Sequence, residues 1–235
     1  MHWDPPSRPA ELAETRLIAA ILDGEFAIHS SLPAERELAA QLGVTRPTLR
    51  EALQRLARDG WVEIRHGRST RVRDYWREGN LGVLSAIARH QENLPSTFVP
   101  NLLQVRVSLA PAYTRLAFER SLAQVAELLE TMTGLPDTPE AFAGNDWRLH
   151  VQLSRLSENP VFTLILNGFG DLYEMMARRY FAAPQARAHS RSFYKRLRAA
   201  ARRGDADRAE KVTRAVMQDS LKLWRLAAES EADHP

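Results

Sequence analysis

The chain has 235 residues, a formal net charge of +3 and no cysteine. Its hydrophobic fraction of 44% is enough for packed cores and excludes a wholly disordered chain. No apolar run approaches the roughly 20 residues of a membrane span. The missing cysteines exclude disulfides, thiolate zinc sites and cysteine nucleophiles. Because residues 1–10 also lack a basic and then apolar leader, we expect a cytoplasmic protein without a membrane partner.

Positive charge is concentrated in two segments of the sequence. Residues 44–77 hold nine arginines against four acidic residues. Residues 178–203 hold eight arginines and one lysine, with no acidic residue at all. Such segments suit phosphate groups, either of DNA or of a nucleotide-like ligand. A solvated helix face is the alternative interpretation of each run.

The first third of the chain predicts three helices followed by a β-hairpin. Apolar spacing gives helices over 11–23, 34–41 and 46–59, and alternation gives strands over 62–65 and 71–73 around a turn at 66–69. This order is that of a winged helix-turn-helix. We therefore assign residues 1–77 to such a domain.

The remaining residues, 78–235, predict an α-helical domain with no strand. Prolines and glycines separate seven helical segments, which are 81–90, 98–119, 121–133, 139–157, 161–181, 187–203 and 205–228. The predicted fold class is mainly α with a small β wing, in which the winged helix-turn-helix precedes a seven-helix bundle.

The second helix of the predicted helix-turn-helix motif has the composition of a DNA-reading helix. Its N-terminal end is the part that a recognition helix presents to base edges. Arg46 and Arg50 lie four residues apart on one face, so one can bond a guanine while the other contacts the backbone. The predicted DNA-binding residues are Arg36, Thr45, Arg46, Thr48, Arg50, His66 and Gly67. The alternative is an ordinary amphipathic helix pair whose arginines serve solubility.

The C-terminal half carries two apolar helix faces that contain polar groups. One face combines residues at spacings of 4, 3, 4, 3 and 4, which are Phe162, Leu166, Phe169, Tyr173, Met176 and Tyr180. The final helix places Met217, Ser220 and Trp224 on one face. A hydroxyl inside an apolar stripe needs a partner. Plain core packing and a ligand pocket both remain open from this pattern alone.

The segment Leu32–Thr70 resembles the winged-helix domain of the GntR family of bacterial regulators. Its run TLREALQRLARDGWVEIRHG is similar to a recognition helix and wing of the FadR subfamily. Further similar stretches extend over nearly the whole chain: VPNLLQVR at 99–106, NPVFTLILNGFGDLY at 159–173, RRYFAAPQAR at 178–187 and SFYKRL at 192–197. The resemblance is therefore to the subfamily and is not confined to the DNA-binding motif.

This resemblance implies a homodimer on near-palindromic, double-stranded operator DNA. It implies repression of fatty-acid degradation genes, activation of unsaturated-fatty-acid synthesis genes, and release from DNA by long-chain acyl-CoA as effector, without a cofactor. It places around the acyl-CoA the residues Leu103, Arg106, Phe169, Tyr173, Tyr180, Arg214, Ser220 and Trp224. The sequence departs from the subfamily pattern at Pro47, where a hydroxyl residue is expected, at Met217, where a smaller one is, and at Glu229, where a lysine is.

Asp146 and His150 lie four apart on a predicted helix and could both reach one metal ion. Relatives of this ligand-binding domain often complete such a site with two histidines, whereas this chain has Tyr194 and the pair Val216-Met217 there. We expect no metal site. A GntR-type regulator of a small metal-bound carboxylate remains the alternative. We also expect no enzyme, because the chain lacks a G-x-S-x-G motif and a clear Ser–His–Asp arrangement.

Overall fold

The computed structural model describes residues 9–90 and 97–232. The chain divides into two compact units, Met1–Leu94 and Pro95–Pro235. Within the described ranges, no helix combines the length and the apolar character that crossing a bilayer requires.

The first unit is a winged helix-turn-helix, as predicted. Its elements are α1 (Pro9–Leu22), α2 (Glu35–Leu42), α3 (Arg46–Asp59), β1 (Val62–Glu63), β2 (Arg71–Val72), α4 (Tyr75–Glu78) and α5 (Leu81–Arg89). The wing pairs β1 and β2 antiparallel, with Val62 opposite Val72, and Ser31 adds an isolated bridge to Arg71. The core includes the fully buried side chains Leu17, Leu49, Leu53, Leu56 and Trp61.

Both ends of α3 are fixed by local signals. Thr45 caps the N-terminus, because its hydroxyl accepts from the backbone N–H of Thr48. Pro47 lies in the first turn, where the missing N–H has no helical partner to lose. Gly60 ends the helix in the left-handed conformation, with φ of 98°. The recognition helix therefore has defined limits.

The connecting helices α4 and α5 pack into the first unit. Tyr75 is buried and its ring lies 4.8 Å from that of Trp61. The backbone N–H of Asn80 donates to the carbonyl of Asp59, and a Cβ on Gly60 would lie 2.8 Å from the Glu78 carbonyl oxygen. The first compact unit thus continues past residue 77, the predicted end of the first domain, and includes residues 75–89.

The second unit, within its described residues, contains seven helices: α6 (Phe98–Arg120), α7 (Leu122–Glu130), α8 (Pro139–Leu156), α9 (Pro160–Asn167), α10 (Gly170–Ala182), α11 (Pro184–Ala201) and α12 (Ala206–Ala232). The mainly α fold class with a small wing is confirmed. The predicted number of helices is also found, but the set of helices differs. Residues 81–89 belong to the first unit, and the segment predicted as one helix over 161–181 forms α9 and α10.

The prediction of one helix over 161–181 is wrong. The α-helical assignment is interrupted by a turn at Gly168 and Phe169, and the latter has φ of −102° and ψ of 0°. The next helix starts at once, since Tyr173 N–H donates to the carbonyl of Phe169. Glycine has a low helix propensity, and the apolar spacing continues across the break. The six residues at regular spacing therefore do not share one helix face.

Candidate functional site

The N-terminal end of α3 presents the hydroxyl groups of Thr45 and Thr48. Thr45 and Thr48 share a hydrogen bond of 2.8 Å between their hydroxyl oxygens. Thr45 is exposed and Thr48 is half-buried. The positive end of the helix dipole and these hydroxyl groups suit a phosphate oxygen. This end of α3 can therefore hold a nucleic-acid backbone.

Arg46 and Arg50 both approach the carboxylate of Glu35 in the first turn of α2. Arg50 Nε donates to Glu35 Oε2 at 2.7 Å, and a terminal nitrogen of Arg46 lies 3.9 Å from the same oxygen. The side chain of Arg50 is 61% exposed and that of Arg46 is 57% exposed. The sequence interpretation missed Glu35, because a separation of 15 residues across a turn gives no periodic signal.

An open groove lies between the helix pair and the wing. Five of the predicted DNA-binding residues line this groove, namely Arg36, Arg46, Arg50, His66 and Gly67. Gly67 has φ of 70° and open space around its Cα, so its backbone can approach a ligand closely. The groove has the basic lining and the adjoining helix terminus that duplex DNA requires.

A pocket in the second unit brings together residues from α6, α10 and α12. Six of the eight residues predicted to bind acyl-CoA line it, namely Leu103, Arg106, Tyr173, Tyr180, Ser220 and Trp224. The remainder of the wall is mostly apolar and includes Met176 and Met217. Met217, a departure from the subfamily pattern, is therefore part of the wall. The side chain of Glu229 lies outside the described residues.

Two predicted ligand residues lie elsewhere. Phe169 lines a second cavity beside Trp147 and His150, whereas Tyr173 lines both cavities. Arg214 is exposed and lies outside the lining of both cavities. Its guanidinium instead pairs with Glu210 one turn earlier on α12, at 2.8 Å.

Two polar contacts connect α10 with α12 at the pocket. The Tyr180 hydroxyl donates to Ser220 Oγ at 3.2 Å. The guanidinium of Arg179 lies over the indole of Trp224, 5.6 Å from its ring centroid, a distance at which a cation and an aromatic face attract each other. The serine within the apolar stripe therefore has its partner on another helix.

Asp146 on α8 is the centre of a buried polar cluster in the pocket wall. It accepts from Arg106 at 3.3 Å, from the Tyr194 hydroxyl at 3.1 Å and from the Tyr173 hydroxyl. Burial raises the pKa of Asp146, but the positive charge of His150 once it is protonated in acid, the charge of Arg106 and the two phenol hydrogen bonds outweigh it. The pKa of this carboxyl therefore lies below its usual value.

His150 is neutral in this cluster. The ring is 1% exposed, and burial lowers the pKa of His150 to about 4. Burial also raises the pKa of Tyr113, so the phenol stays protonated and can donate to His150 Nδ1, which lies 2.7 Å from its oxygen. In the tautomer that accepts this bond the imidazole proton is on Nε2, which faces Asp146 Oδ2 at 3.6 Å.

Asp146 and His150, which the sequence analysis considered as metal ligands and set aside, are part of this cluster. Asp146 Oδ2 faces the guanidinium of Arg106, whose positive charge opposes a cation at the same oxygen. Among the described residues, no group of three or more His, Cys, Asp or Glu side chains is arranged to hold a metal ion.

Two families match consecutive parts of the chain. Residues 9–72 match the bacterial regulatory proteins of the gntR family, and residues 73–232 match the FadR C-terminal domain. The two matched segments correspond to the winged motif and to the helical bundle with its preceding connector.

Curated relatives are similar over most of the chain. A fatty acid metabolism regulator protein of Enterobacter sp. (strain 638) is 39% identical over 216 residues, which are 92% of this chain and 90% of that protein. The protein of the same name from Escherichia coli O1:K1 has the same identity and coverage. The solved structure of Lar, which controls the expression of the Listeria monocytogenes agr system, has a TM-score of 0.52 at 16% identity and covers 96% of this chain and 100% of Lar. That likeness concerns the fold alone.

Proposed function

Because the chain belongs to the FadR regulators of the bacterial GntR family, we propose that long-chain acyl-CoA binds the pocket between α6, α10 and α12 and releases the protein from its operator. The chain is a DNA-binding transcription regulator of fatty-acid metabolism, and not an enzyme. Its proposed programme is repression of fatty-acid degradation genes and activation of unsaturated-fatty-acid synthesis genes. What we propose is therefore the acyl-CoA ligand, the homodimer and this regulation of the two sets of genes.

The observation that carries this proposal is the convergence of six residues from positions 103 to 224 on one pocket. An acyl chain needs an apolar slot, which contributes about 0.8 kcal/mol per buried methylene. A coenzyme head group needs cations and hydroxyls, because its phosphates accept charge-assisted hydrogen bonds. The pocket supplies the apolar wall, together with Arg106 and the Tyr180–Ser220 pair.

The pocket must widen to take such a ligand. Its internal volume is about 40 Å³, far below the roughly 300–1,000 Å³ of a typical ligand pocket. Met176 and Met217 in the wall have flexible side chains that adapt to new shapes. The Tyr180–Ser220 hydrogen bond lies across the slot, so ligand entry should separate α10 from α12. This separation is the proposed first step of release.

The proposed homodimer is supported by exposed apolar side chains in the first unit. Trp76 is 49% exposed and Leu81 is 42% exposed, close together in sequence on α4 and α5. Large apolar groups on a surface suit burial against a partner. A twofold dimer would present two α3 helices to a near-palindromic site, with half-site spacing set by the dimer.

The alternative, a sensor of a metal-bound carboxylate, has less support. Both oxygens of Asp146 already accept hydrogen bonds, from Arg106, Tyr173 and Tyr194. A metal ion would have to displace these donors before it gained a second protein ligand at His150.

The test is a gel shift on a duplex that the wild-type protein selects from a randomised pool. Oleoyl-CoA should release the duplex, while free CoA and a short organic acid with a divalent metal should not. Trp224→Ala should require roughly tenfold more oleoyl-CoA, because the lost indole removes about 1–3 kcal/mol of contact. Ser108→Ala is the control, since Ser108 is exposed on α6 and bonds only the Gln104 carbonyl among its described contacts.

Two results would contradict the proposal. Release by the acid and metal, but not by oleoyl-CoA, would favour the alternative ligand. Release of Trp224→Ala at the wild-type oleoyl-CoA concentration would show that the pocket is elsewhere.

A further inference from the structure

A carboxylate lies on the surface that is expected to meet DNA. Glu35 lines the groove between the helix pair and the wing, together with Arg46 and Arg50. Its side chain is 32% exposed. A negative charge at this position opposes the approach of phosphates, so it weakens binding to DNA of any sequence. The groove therefore contains one group whose charge disfavours its own ligand.

A contribution to the stability of the fold does not explain why a carboxylate lies at this position. The partner side chains of Glu35, those of Arg46 and Arg50, are both more than half exposed. Ion pairs in such surroundings contribute little to the free energy of unfolding, because water and salt screen them. The presence of Glu35 is therefore better explained by the effect of its carboxylate on the two arginine side chains.

The contact fixes the orientation of one guanidinium. Glu35 Oε2 accepts from Arg50 Nε at 2.7 Å, while the nearer Arg46 nitrogen is 3.9 Å away. A bond to Nε restrains the plane of the Arg50 fork and leaves its two terminal nitrogens to meet a base edge. An arginine held in this way loses less conformational freedom when it bonds guanine O6 and N7.

We propose that Glu35 is a positioning residue for base reading by Arg50, and that it exchanges general DNA affinity for sequence selectivity. This inference rests on the assignment of Arg50 as a base-reading residue. It is independent of the acyl-CoA ligand. Specificity is a difference between affinities, so a repulsive group that weakens every complex can still increase it.

The test compares Glu35→Ala with Glu35→Gln and with the control Glu37→Ala. Glu37 lies on the same helix, is exposed, and is outside the groove lining, so its removal changes net charge equally. Dissociation constants are measured at one fixed salt concentration on the selected duplex, on a scrambled duplex, and on duplexes with single base-pair changes. Thermal unfolding of each variant verifies that the first unit still folds.

Glu35→Ala should bind the scrambled duplex more tightly and should lose roughly tenfold in selectivity. The loss should occur at the base pair that Arg50→Ala also relaxes. Glu35→Gln retains an acceptor for Arg50 Nε and should lose less. Glu37→Ala should retain wild-type selectivity. The double variant with Arg50→Ala should lose no more selectivity than Arg50→Ala alone, because Glu35 acts through that side chain.

Three results would overturn the proposal while leaving the family function intact. Equal tightening on every duplex would mean that Glu35 acts by charge alone. Equal weakening on every duplex would mean a structural role. Loss of selectivity at a different base pair would separate Glu35 from Arg50. If Arg50→Ala itself leaves selectivity unchanged, the assignment of the base-reading residue is wrong.

Discussion

Two ionisable side chains deep in the bundle differ in charge, because one is ionised and the other is neutral. Asp146 and His150 are 5% and 1% exposed, and each is held by a phenol, Tyr194 or Tyr113. Asp146 stays ionised because cationic and hydroxyl donors surround it, whereas His150 stays neutral because burial disfavours its charge. The pair therefore provides stability that depends on pH.

Acidification should destabilise the second unit through His150. The unfolded chain takes up a proton near the ordinary pKa of 6.5, whereas the folded imidazole resists protonation until its pKa of about 4. The stabilisation is therefore complete above pH 6.5 and is lost as pH falls to about 4, by about 3 kcal/mol for this shift. Denaturant unfolding at a series of pH values should give a shallower pH dependence for His150→Gln than for wild type.

The control for this measurement is His66→Gln, which changes an exposed histidine at the wing. It should follow the wild-type pH dependence. An unchanged slope in His150→Gln would mean that the buried imidazole does not govern acid stability.

At the scale of single elements, the junction of α3 with α4 is unusually close. Gly60 ends α3, and an added Cβ would lie 2.8 Å from both the Glu78 oxygen and the Gly79 Cα. These are backbone atoms, so a side chain at Gly60 has no flexible neighbour to displace. Only glycine fits this position without moving α4.

Gly60→Ala and Gly43→Ala form a matched pair that measures this packing. Both glycines end helices in the left-handed region, but Gly43 has nothing within 4 Å of an added Cβ. Gly43→Ala should cost about 1–2 kcal/mol from the left-handed backbone alone. Gly60→Ala should cost a further 1–3 kcal/mol of overpacking, measured by urea unfolding. Equal losses of stability in the two variants would mean that α4 can move away from the added Cβ without an energetic cost.

The elements differ in how far the sequence predicts them. The limits of α3 were predictable, because Thr45 and Gly60 are local signals that act through their own backbone. The break at Gly168 and Phe169 was not, because apolar spacing continues through it and one glycine does not require a helix to end. Phe169, at this break, lines the second cavity and not the first.

Tertiary contacts also escaped prediction where residues distant in sequence meet. The pairing of Arg106 with Asp146 spans 40 residues, and that of Arg50 with Glu35 spans 15. The resemblance to the subfamily supplied the pocket residues, although Arg214 points to Glu210 instead. Likewise, the sequence did not predict that residues 78–89 would join the first unit, because the backbone hydrogen bond from Asn80 to Asp59 joins residues that are distant in sequence.

At the scale of the whole molecule, the chain has two compact units, and the proposed switch requires them to be energetically coupled. Coupling between two binding sites is reciprocal by thermodynamic necessity. If oleoyl-CoA weakens operator binding by a given factor, the operator must weaken oleoyl-CoA binding by the same factor. A factor of about 5–150 is typical of allosteric proteins.

Both halves of this cycle can be measured. Anisotropy of a labelled operator, with and without saturating oleoyl-CoA, gives one factor. Calorimetric titration of oleoyl-CoA, with and without operator, gives the other, and we expect the two to agree. Simultaneous occupancy of both sites without mutual weakening would contradict the proposed release.

In the proposed switch, the narrow slot between α10 and α12 would set the concentration of acyl-CoA at which the protein releases DNA. A receptor whose binding-competent form is rare has an apparent dissociation constant raised by the inverse of that form's population. The structure, with about 40 Å³ of internal space, is of the closed form. Replacing Met217 by a smaller residue would enlarge the slot. Such a variant would release DNA at a lower concentration of acyl-CoA than the wild type.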